Sequence, residues 1–175
     1  MSKKVVLDNC VMAWAFKSQL TESHDAKTIQ AQRLIEKIDK EGDELVIPSV
    51  VLFEFLSIFD KDERDQRESF LRELLSSIKI CNYGYECAKN SASLFVLNRG
   101  DHQDTGIDES NRTSSQRKTD IMILGQAKSH GVSVIYTGDT RFASMANRLK
   151  SNHGVEVTGM PEPEEYTIED QGVKI

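Results

Sequence analysis

Four acidic residues stand out because each lies inside a strongly apolar stretch or close to one of its ends: Asp8, Glu54, Asp120 and Asp139. Asp8 and Asp139 follow short runs rich in Val, Ile and Tyr, a composition that predicts β-strands. Carboxylates with no His or Cys in the pattern suit a hard, oxygen-seeking cation such as Mg²⁺ or Mn²⁺. A cation of this kind activates water and neutralises phosphate charge, so the pattern indicates metal-dependent hydrolysis of a phosphodiester.

The elements around these residues predict how the carboxylates meet. Strand patterns alternate with helical patterns, which is typical of an α/β fold with a parallel sheet, because parallel strands are joined by crossover helices. The carboxyl ends of such strands share one edge of the sheet, so Asp8 and Asp139 are expected to lie there. We predict strands at 4–7, 44–47, 79–83, 132–136 and 155–157, and helices at 11–16, 25–41, 48–61, 64–78, 85–98, 120–130 and 140–149.

The other two carboxylates are predicted on helices. Asp120 opens an apolar run at helical spacing that Gly131 closes, so it is expected in the first turn of a helix. Glu54 lies in the stretch VVLFEFLSIF, and a helix that is apolar on nearly all sides is expected to be buried. Two of the four carboxylates also have a specific structural explanation. Asp8 could cap a helix, and Glu54 could form a salt bridge or face solvent.

Residues 99–119 are dense in Gly, Asp, Ser, Thr and Asn, and Ile107 is the one strong hydrophobe among them. Such a composition cannot bury enough surface to fold alone, so a long polar loop is predicted. Because it leads directly to Asp120, it is either a flap over the site or a plain insertion. Residues 1–158 are expected to form one domain, and residues 159–175 a C-terminal tail that lies on the surface or is ordered by a partner.

The composition excludes several classes of protein. No apolar run approaches the roughly 20 residues of a membrane helix, and the N-terminus MSKKVVLD has no signal-peptide pattern, so a cytoplasmic protein without a membrane span is expected. A net charge of −6 argues against nonspecific coating of nucleic acid, but a metal-bound nuclease site remains compatible with it. Three cysteines with no disulfide or zinc spacing are expected to be reduced and buried. Nucleotide-binding glycine motifs are absent from the sequence.

Four stretches together resemble the acidic motifs of the PIN domain, in the arrangement found in toxins of the VapBC type: VVLDNCVMAWAF, VIPSVVLFEF, TDIMILGQAKSHG and VIYTGDTRF. The resemblance covers about Lys3 to Val157. It implies a three-layer α/β/α fold with a central parallel sheet of four to five strands. It also implies an endoribonuclease that depends on Mg²⁺ or Mn²⁺. Asn9 follows Asp8 where such proteins often carry Thr or Ser.

The resemblance assigns roles to individual residues of this chain. The implied metal ligands and catalytic residues are Asp8, Glu54, Asp120 and Asp139, with Glu54 positioning a metal or the attacking water. Asn9 and Thr137, the latter in a T-x-D-x-x-F motif that ends at Phe142, are expected to orient a ligand or phosphate by hydrogen bonding. Candidates for contacts with the RNA backbone, which could equally be solvated surface charges, are Arg117, Lys118 and Arg141.

The partners implied by the resemblance are an RNA substrate, a second copy in a homodimer, and a cognate antitoxin protein whose segment fills the groove. Two alternatives remain open. One is a PIN nuclease that processes RNA without an antitoxin, and the other is a catalytically silent PIN-like fold used for protein interaction. A neighbouring gene for a small DNA-binding protein would favour the toxin. Metal binding that is unchanged by Asp8→Asn or Asp120→Asn would exclude both enzymes.

Overall fold

A computed structural model describes residues 2–20, 26–66, 72, 73, 76, 78–105 and 114–162. Its centre is a parallel sheet whose strands lie in the order β3-β2-β1-β4-β5. This confirms the predicted α/β fold with a central parallel sheet of up to five strands. The strands are β1 (Lys4–Leu7), β2 (Glu44–Pro48), β3 (Lys79–Cys81), β4 (Val134–Tyr136) and β5 (Glu156–Thr158).

Helices connect the strands within the described residues. Both α1 and α2 lie between β1 and β2, α3 and α4 follow β2, α5 and α6 lead to β4, and α7 and α8 lead to β5. Their bounds are α1 (Asn9–Leu20), α2 (Ala26–Lys40), α3 (Ser49–Ser57), α4 (Lys61–Gln66), α5 (Tyr85–Thr105), α6 (Ser114–Ser129), α7 (Thr140–Arg148) and α8 (Lys150–His153).

Strand β1 is covered on both of its faces. Val5, Val6 and Leu7 are consecutive, so their side chains alternate between the two faces of the sheet, yet all three are at most 2% exposed. A parallel strand that is apolar throughout and buried on both faces requires helices above and below it. The layered arrangement predicted from the sequence is therefore present.

The order of the strands creates a switch point between β1 and β4. The chain begins in the middle of the sheet, moves outward through β2 and β3, and returns to add β4 on the other side of β1. In the register of this pair Leu7 lies opposite Tyr136, so the next residues, Asp8 and Thr137, leave the sheet side by side. Ligands of open α/β sheets bind at such a point because the loops diverge there.

Two segments differ from the sequence prediction. Residues 99–105 continue α5 and residues 114–119 begin α6, so most of the polar stretch predicted as a loop is helical. A solvated helix face needs few hydrophobes, which is why the composition was misleading. Asp120 consequently lies in the second turn of α6, and the prediction of a first-turn position is wrong. Of the stretch 99–119 predicted as a flap or an insertion, residues 106–113 lie outside the described residues, as do residues 163–175 of the predicted tail.

The burial of α3 also differs from the prediction. Val51 and Phe55 are fully buried, but Phe53 is 70% exposed and Ile58 is 49% exposed. The helix is therefore apolar on its solvent side as well as its core side. None of the helices in the described part of the chain is long and apolar enough to cross a membrane.

Candidate active site

The ends of β1 and β4 open onto a pocket of about 240 Å³. All four carboxylates predicted from the sequence line it, together with one basic side chain and three polar ones. The lining residues are Asp8, Asn9, Cys10, Glu54, Gln116, Asp120, Asp139 and Arg141. The fold thus brings together residues from four segments of the chain at the switch point of the sheet.

Asp8 is the most buried of these carboxylates, with 8% of its surface exposed. Its Oδ1 accepts a hydrogen bond from the main-chain N–H of Asn9 at 2.8 Å, and its Oδ2 accepts one from Thr137 Oγ1 at 2.7 Å. Burial raises the pKa of this carboxyl above its ordinary value, and the nearby charge of Asp139 adds to the rise, while the hydrogen bonds oppose it. Asp8 is therefore a carboxylate whose negative charge is incompletely compensated by the protein.

Glu54 projects from α3 into the same pocket. Burial raises its pKa to about 7, and the negative charge of Asp8 contributes to the rise. The carboxyl therefore exchanges its proton near neutral pH, which is the property required of a general acid or base at that pH. An exposed glutamate at the surface of a helix has no reason to titrate there.

Asp139 and Thr137 belong to the turn that follows β4. Asp139 is the N-cap of α7, because its Oδ1 accepts from the main-chain N–H groups of Arg141 at 2.7 Å and Phe142 at 3.1 Å. The hydroxyl of Thr137, a residue that is 2% exposed, donates to Asp8 and accepts from Asp139 N–H at 3.0 Å. Thr137 thus connects the carboxylate of Asp8 to the main chain of Asp139 through one oxygen atom.

Asp120 and Gln116 are one helical turn apart on α6, and both line the pocket. Arg117 and Lys118 lie between them in sequence but are not among the lining residues. Lys118 instead lines a groove between α5 and α6 with Ile121 and Met122, three and four residues further along its own face. Of the three basic residues predicted to contact RNA, the structure brings only Arg141 to the pocket.

A sequence model of the PIN domain matches residues 5–148, which is most of the chain. The chain belongs to the PIN domain family. No curated protein matches it in sequence.

Solved structures similar to this PIN domain include two complexes. VapBC2 from Rickettsia felis, bound to a DNA fragment from its promoter, has a chain that is 17% identical, with a TM-score of 0.57 over 90% of this chain and 99% of that chain. DNA-bound VapBC from Salmonella typhimurium gives 17% identity and a TM-score of 0.55 over 92% of this chain and 100% of that one. At this identity the similarity is one of fold.

The pocket of the PIN domain has the donor set of a hard divalent cation, because carboxylate and amide oxygens are what Mg²⁺ and Mn²⁺ prefer. The side-chain oxygen of Asn9 is buried and has no hydrogen-bond partner in the structure, so a cation would satisfy an acceptor that the protein leaves open. Among the described residues, however, no three His, Cys, Asp or Glu side chains are already grouped tightly enough to hold a metal.

Two lining residues were missed by sequence reasoning. The sequence predicts three reduced and buried cysteines. All three are free and Cys81 and Cys87 are buried, but Cys10 is only partly buried and lines the pocket, so the prediction of burial is wrong for Cys10. Its position two residues after Asp8 was the available signal. Gln116 was missed because α6 was predicted to start at Asp120, although a helix begun earlier would have placed the two on one face.

Proposed function

We propose that this PIN domain is a metal-dependent endoribonuclease that hydrolyses RNA phosphodiester bonds, and that it acts as the toxin of a toxin-antitoxin pair. The observation that carries the proposal is the shared pocket of Asp8, Glu54, Asp120 and Asp139 at the switch point of the sheet. Four segments contribute one carboxylate each, and their separate structural roles do not account for this convergence.

Asp8, Asp120 and Asp139 are the proposed ligands of Mg²⁺ or Mn²⁺, with Asn9 contributing its unsatisfied oxygen. A divalent cation bound there supplies neutralising charge and makes a water molecule more acidic. Glu54, as its ionised carboxylate, takes the proton of the water that attacks phosphorus, and the bond to the departing ribose oxygen then breaks. In the metal-free protein, burial and the charge of Asp8 raise the pKa of Glu54 to about 7. A bound cation would favour the ionised carboxylate that this role needs.

Arg141 is the proposed phosphate contact, because its side chain lines the pocket and carries a positive charge. Thr137 holds Asp8 and the main chain of Asp139 in position. Arg117 and Lys118 lie outside the pocket walls, so any RNA contact they make involves nucleotides away from the cleaved bond.

The toxin assignment is supported by the likeness in fold to two VapBC complexes over at least 90% of this chain. It implies an antitoxin partner and a homodimer. Expression of the wild type in bacteria is expected to arrest growth, whereas expression of Asp120→Asn is not. An RNA-processing enzyme without an antitoxin would cleave RNA in vitro yet leave growth unaffected.

Cleavage of labelled RNA by purified protein tests the enzyme directly. The wild type is expected to cleave with Mn²⁺ or Mg²⁺ and to stop when EDTA is added. Asp120→Asn should lower the rate by at least about a hundredfold, since even partners of metal ligands cost 10–100-fold when replaced. Asp39→Asn, at an exposed position on α2, is the matched control and should retain full activity. Cleavage that persists in EDTA, or in Asp120→Asn, would contradict the proposal.

A further inference from the structure

The turn Thr137-Gly138-Asp139 lies directly against α1. Cys10 Sγ accepts a hydrogen bond from Gly138 N–H at 3.1 Å, and its own S–H donates toward Asp8 Oδ2 at 3.7 Å. Thr137 Oγ1 lies 3.9 Å from the same sulfur. One thiol therefore contacts both the carboxylate that follows β1 and the turn that carries Asp139.

Trp14, one helical turn beyond Cys10 on α1, meets the same turn from the side. A Cβ added to Gly138 would lie 2.7 Å from Trp14 Cζ3, closer than packed carbon atoms approach. The indole is held in place, because it packs against the core and Lys27 Nζ lies 4.5 Å from the ring centroid. The backbone of Gly138 does not have a positive φ, so its glycine is required by space.

These contacts oppose a force that acts within the pocket. Asp8 and Asp139 line the same pocket, and the charge of Asp139 contributes to the raised pKa of Asp8, so the two carboxylates repel each other when both are ionised. Thr137 resists that separation because its hydroxyl joins Asp8 to the main-chain N–H of Asp139, but it makes no hydrogen bond to the middle of the turn. Gly138, at the middle of the turn, donates its N–H to the Cys10 sulfur, and the ring of Trp14 occupies the space where a side chain would lie.

We propose that Cys10 is a positioning residue which, together with Trp14, holds the Thr137–Asp139 turn at a fixed distance from Asp8 and so sets the spacing of the carboxylates for a divalent cation. This role rests on the proposed metal-dependent nuclease. It predicts that changes at Cys10 or Gly138 alter the affinity for metal more than they alter the stability of the fold.

Calorimetric titration of Mn²⁺ into Cys10→Ala, Cys10→Ser and Gly138→Ala tests this role. Cys10→Ala and Gly138→Ala are expected to weaken Mn²⁺ binding by about tenfold or more, the usual effect of removing a group that orients a metal ligand. Cys10→Ser should keep most of the affinity, because a hydroxyl can still accept from Gly138 N–H and donate to Asp8. In metal-free Cys10→Ala, the Gly138 amide should exchange with solvent faster than in the wild type.

Cys87→Ala is the matched control, since this thiol is buried in α5 and donates to the carbonyl of Asn82, away from the pocket. It should lower stability and leave the Mn²⁺ affinity unchanged. Suppose that the wild type binds Mn²⁺ and cleaves RNA. Unchanged Mn²⁺ affinity in Cys10→Ala would then overturn the positioning role and leave the proposed function standing. A wild type that binds no Mn²⁺ would overturn the proposed function, and this role with it. If Gly138→Ala does not fold, the two Cys10 variants decide.

Discussion

The side chain of Glu54 illustrates how a single residue can report on the whole pocket. Its carboxyl is carried by an apolar helix and faces Asp8, so both burial and like charge disfavour its ionised form. Burying an ionised carboxylate without a close cation destabilises the fold, and a binding site that needs the ionised form is destabilised in this way. A bound divalent cation would remove the conflict by favouring the ionised carboxylate.

The pKa of Glu54 predicts how the stability of the metal-free protein depends on pH. Between the ordinary value of 4.5 and about 7, the folded state holds a proton that the unfolded state has lost. The free energy of unfolding therefore falls as the pH rises through this window. Glu54→Gln removes the titrating group, so the variant should gain stability relative to the wild type as the pH is raised from 5 to 8. Urea unfolding at both pH values, with EDTA present, measures the difference.

Two other groups, Asp8 and His153, also change the free energy of unfolding with pH. Asp8 also has a raised pKa, so some loss of stability with pH should persist in Glu54→Gln. His153 has a pKa lowered chiefly by burial and contributes a rise with pH, equally in both proteins. Glu156→Gln, at an exposed site on β5, should behave like the wild type. If the free energy of unfolding changes with pH in the same way in Glu54→Gln and in the wild type, Glu54 is not buried beside Asp8.

At the scale of elements, α5 and α6 are packed through their smallest residues. A Cβ added to Gly125 on α6 would lie 2.6 Å from the main-chain nitrogen of Ser91 on α5 and 2.8 Å from its Cα. Ser91 is itself tied by a hydrogen bond from Tyr83 at 3.0 Å, and Asn90 donates to Ser129 across the two helices at 2.8 Å. Because α6 carries Asp120 and Gln116, this close contact determines where both side chains meet the pocket.

Gly125→Ala is expected to destabilise the protein by about 1–3 kcal/mol, as overpacking of a tight contact does. The sign of the change in the free energy of unfolding is informative, because alanine in place of glycine inside a helix normally stabilises by about 1 kcal/mol. Chemical denaturation measures the change. Gly84→Ala, at the residue before α5, is the control for replacing a glycine without a close contact. Nothing lies within 4 Å of its Cβ position and its φ is not positive, so we expect a smaller loss of stability than in Gly125→Ala. A Gly125→Ala variant as stable as the wild type would mean that the two helices are further apart.

The elements that could be predicted from sequence are those whose pattern reflects burial. The strand before Asp8, the helix over 26–40 and the left-handed glycine after α6, Gly131 with a φ of 66°, follow directly from apolar periodicity and turn chemistry. The start of α6 could not be read in the same way, because its first turn is polar and solvated. That error hid Gln116 and left Lys118 in a predicted loop, whereas Lys118 belongs to α6 and lines the groove between α5 and α6.

At the scale of the whole molecule, the site joins parts of the chain that are far apart in sequence. Asp8 follows the first strand and Asp139 follows the fourth, and the two strands are neighbours only because the chain returns to the centre of the sheet. The sequence order of the carboxylates could be read directly, but their convergence depends on long-range strand pairing. A cation bound between the carboxylates would therefore link the segment that follows β1 to the segment that follows β4.

The net charge of −6 affects how the proposed nuclease could bind RNA. RNA is a polyanion, and in the described part of the chain Arg141 is the one basic side chain that lines the pocket, so phosphate contacts alone would contribute little to RNA binding there. In the proposed nuclease, a bound cation would have to reverse the local field before a phosphodiester could approach the carboxylates. Metal binding is thus expected to precede or accompany RNA binding at this pocket.

Thermal unfolding in the presence of Mn²⁺ tests this link for the whole molecule. A ligand that binds only the folded state, present at a hundred times its Kd, stabilises by about 2.7 kcal/mol. For a domain of this size each kcal/mol raises Tm by roughly 2–4 °C, so the wild type should gain about 5–10 °C and lose it again when EDTA is added. Asp120→Asn should show a much smaller gain, while Asp39→Asn should match the wild type because its carboxylate lies outside the pocket. An equal gain in Asp120→Asn and the wild type would place the cation elsewhere, and no gain in the wild type would contradict the proposed cation site at the four carboxylates.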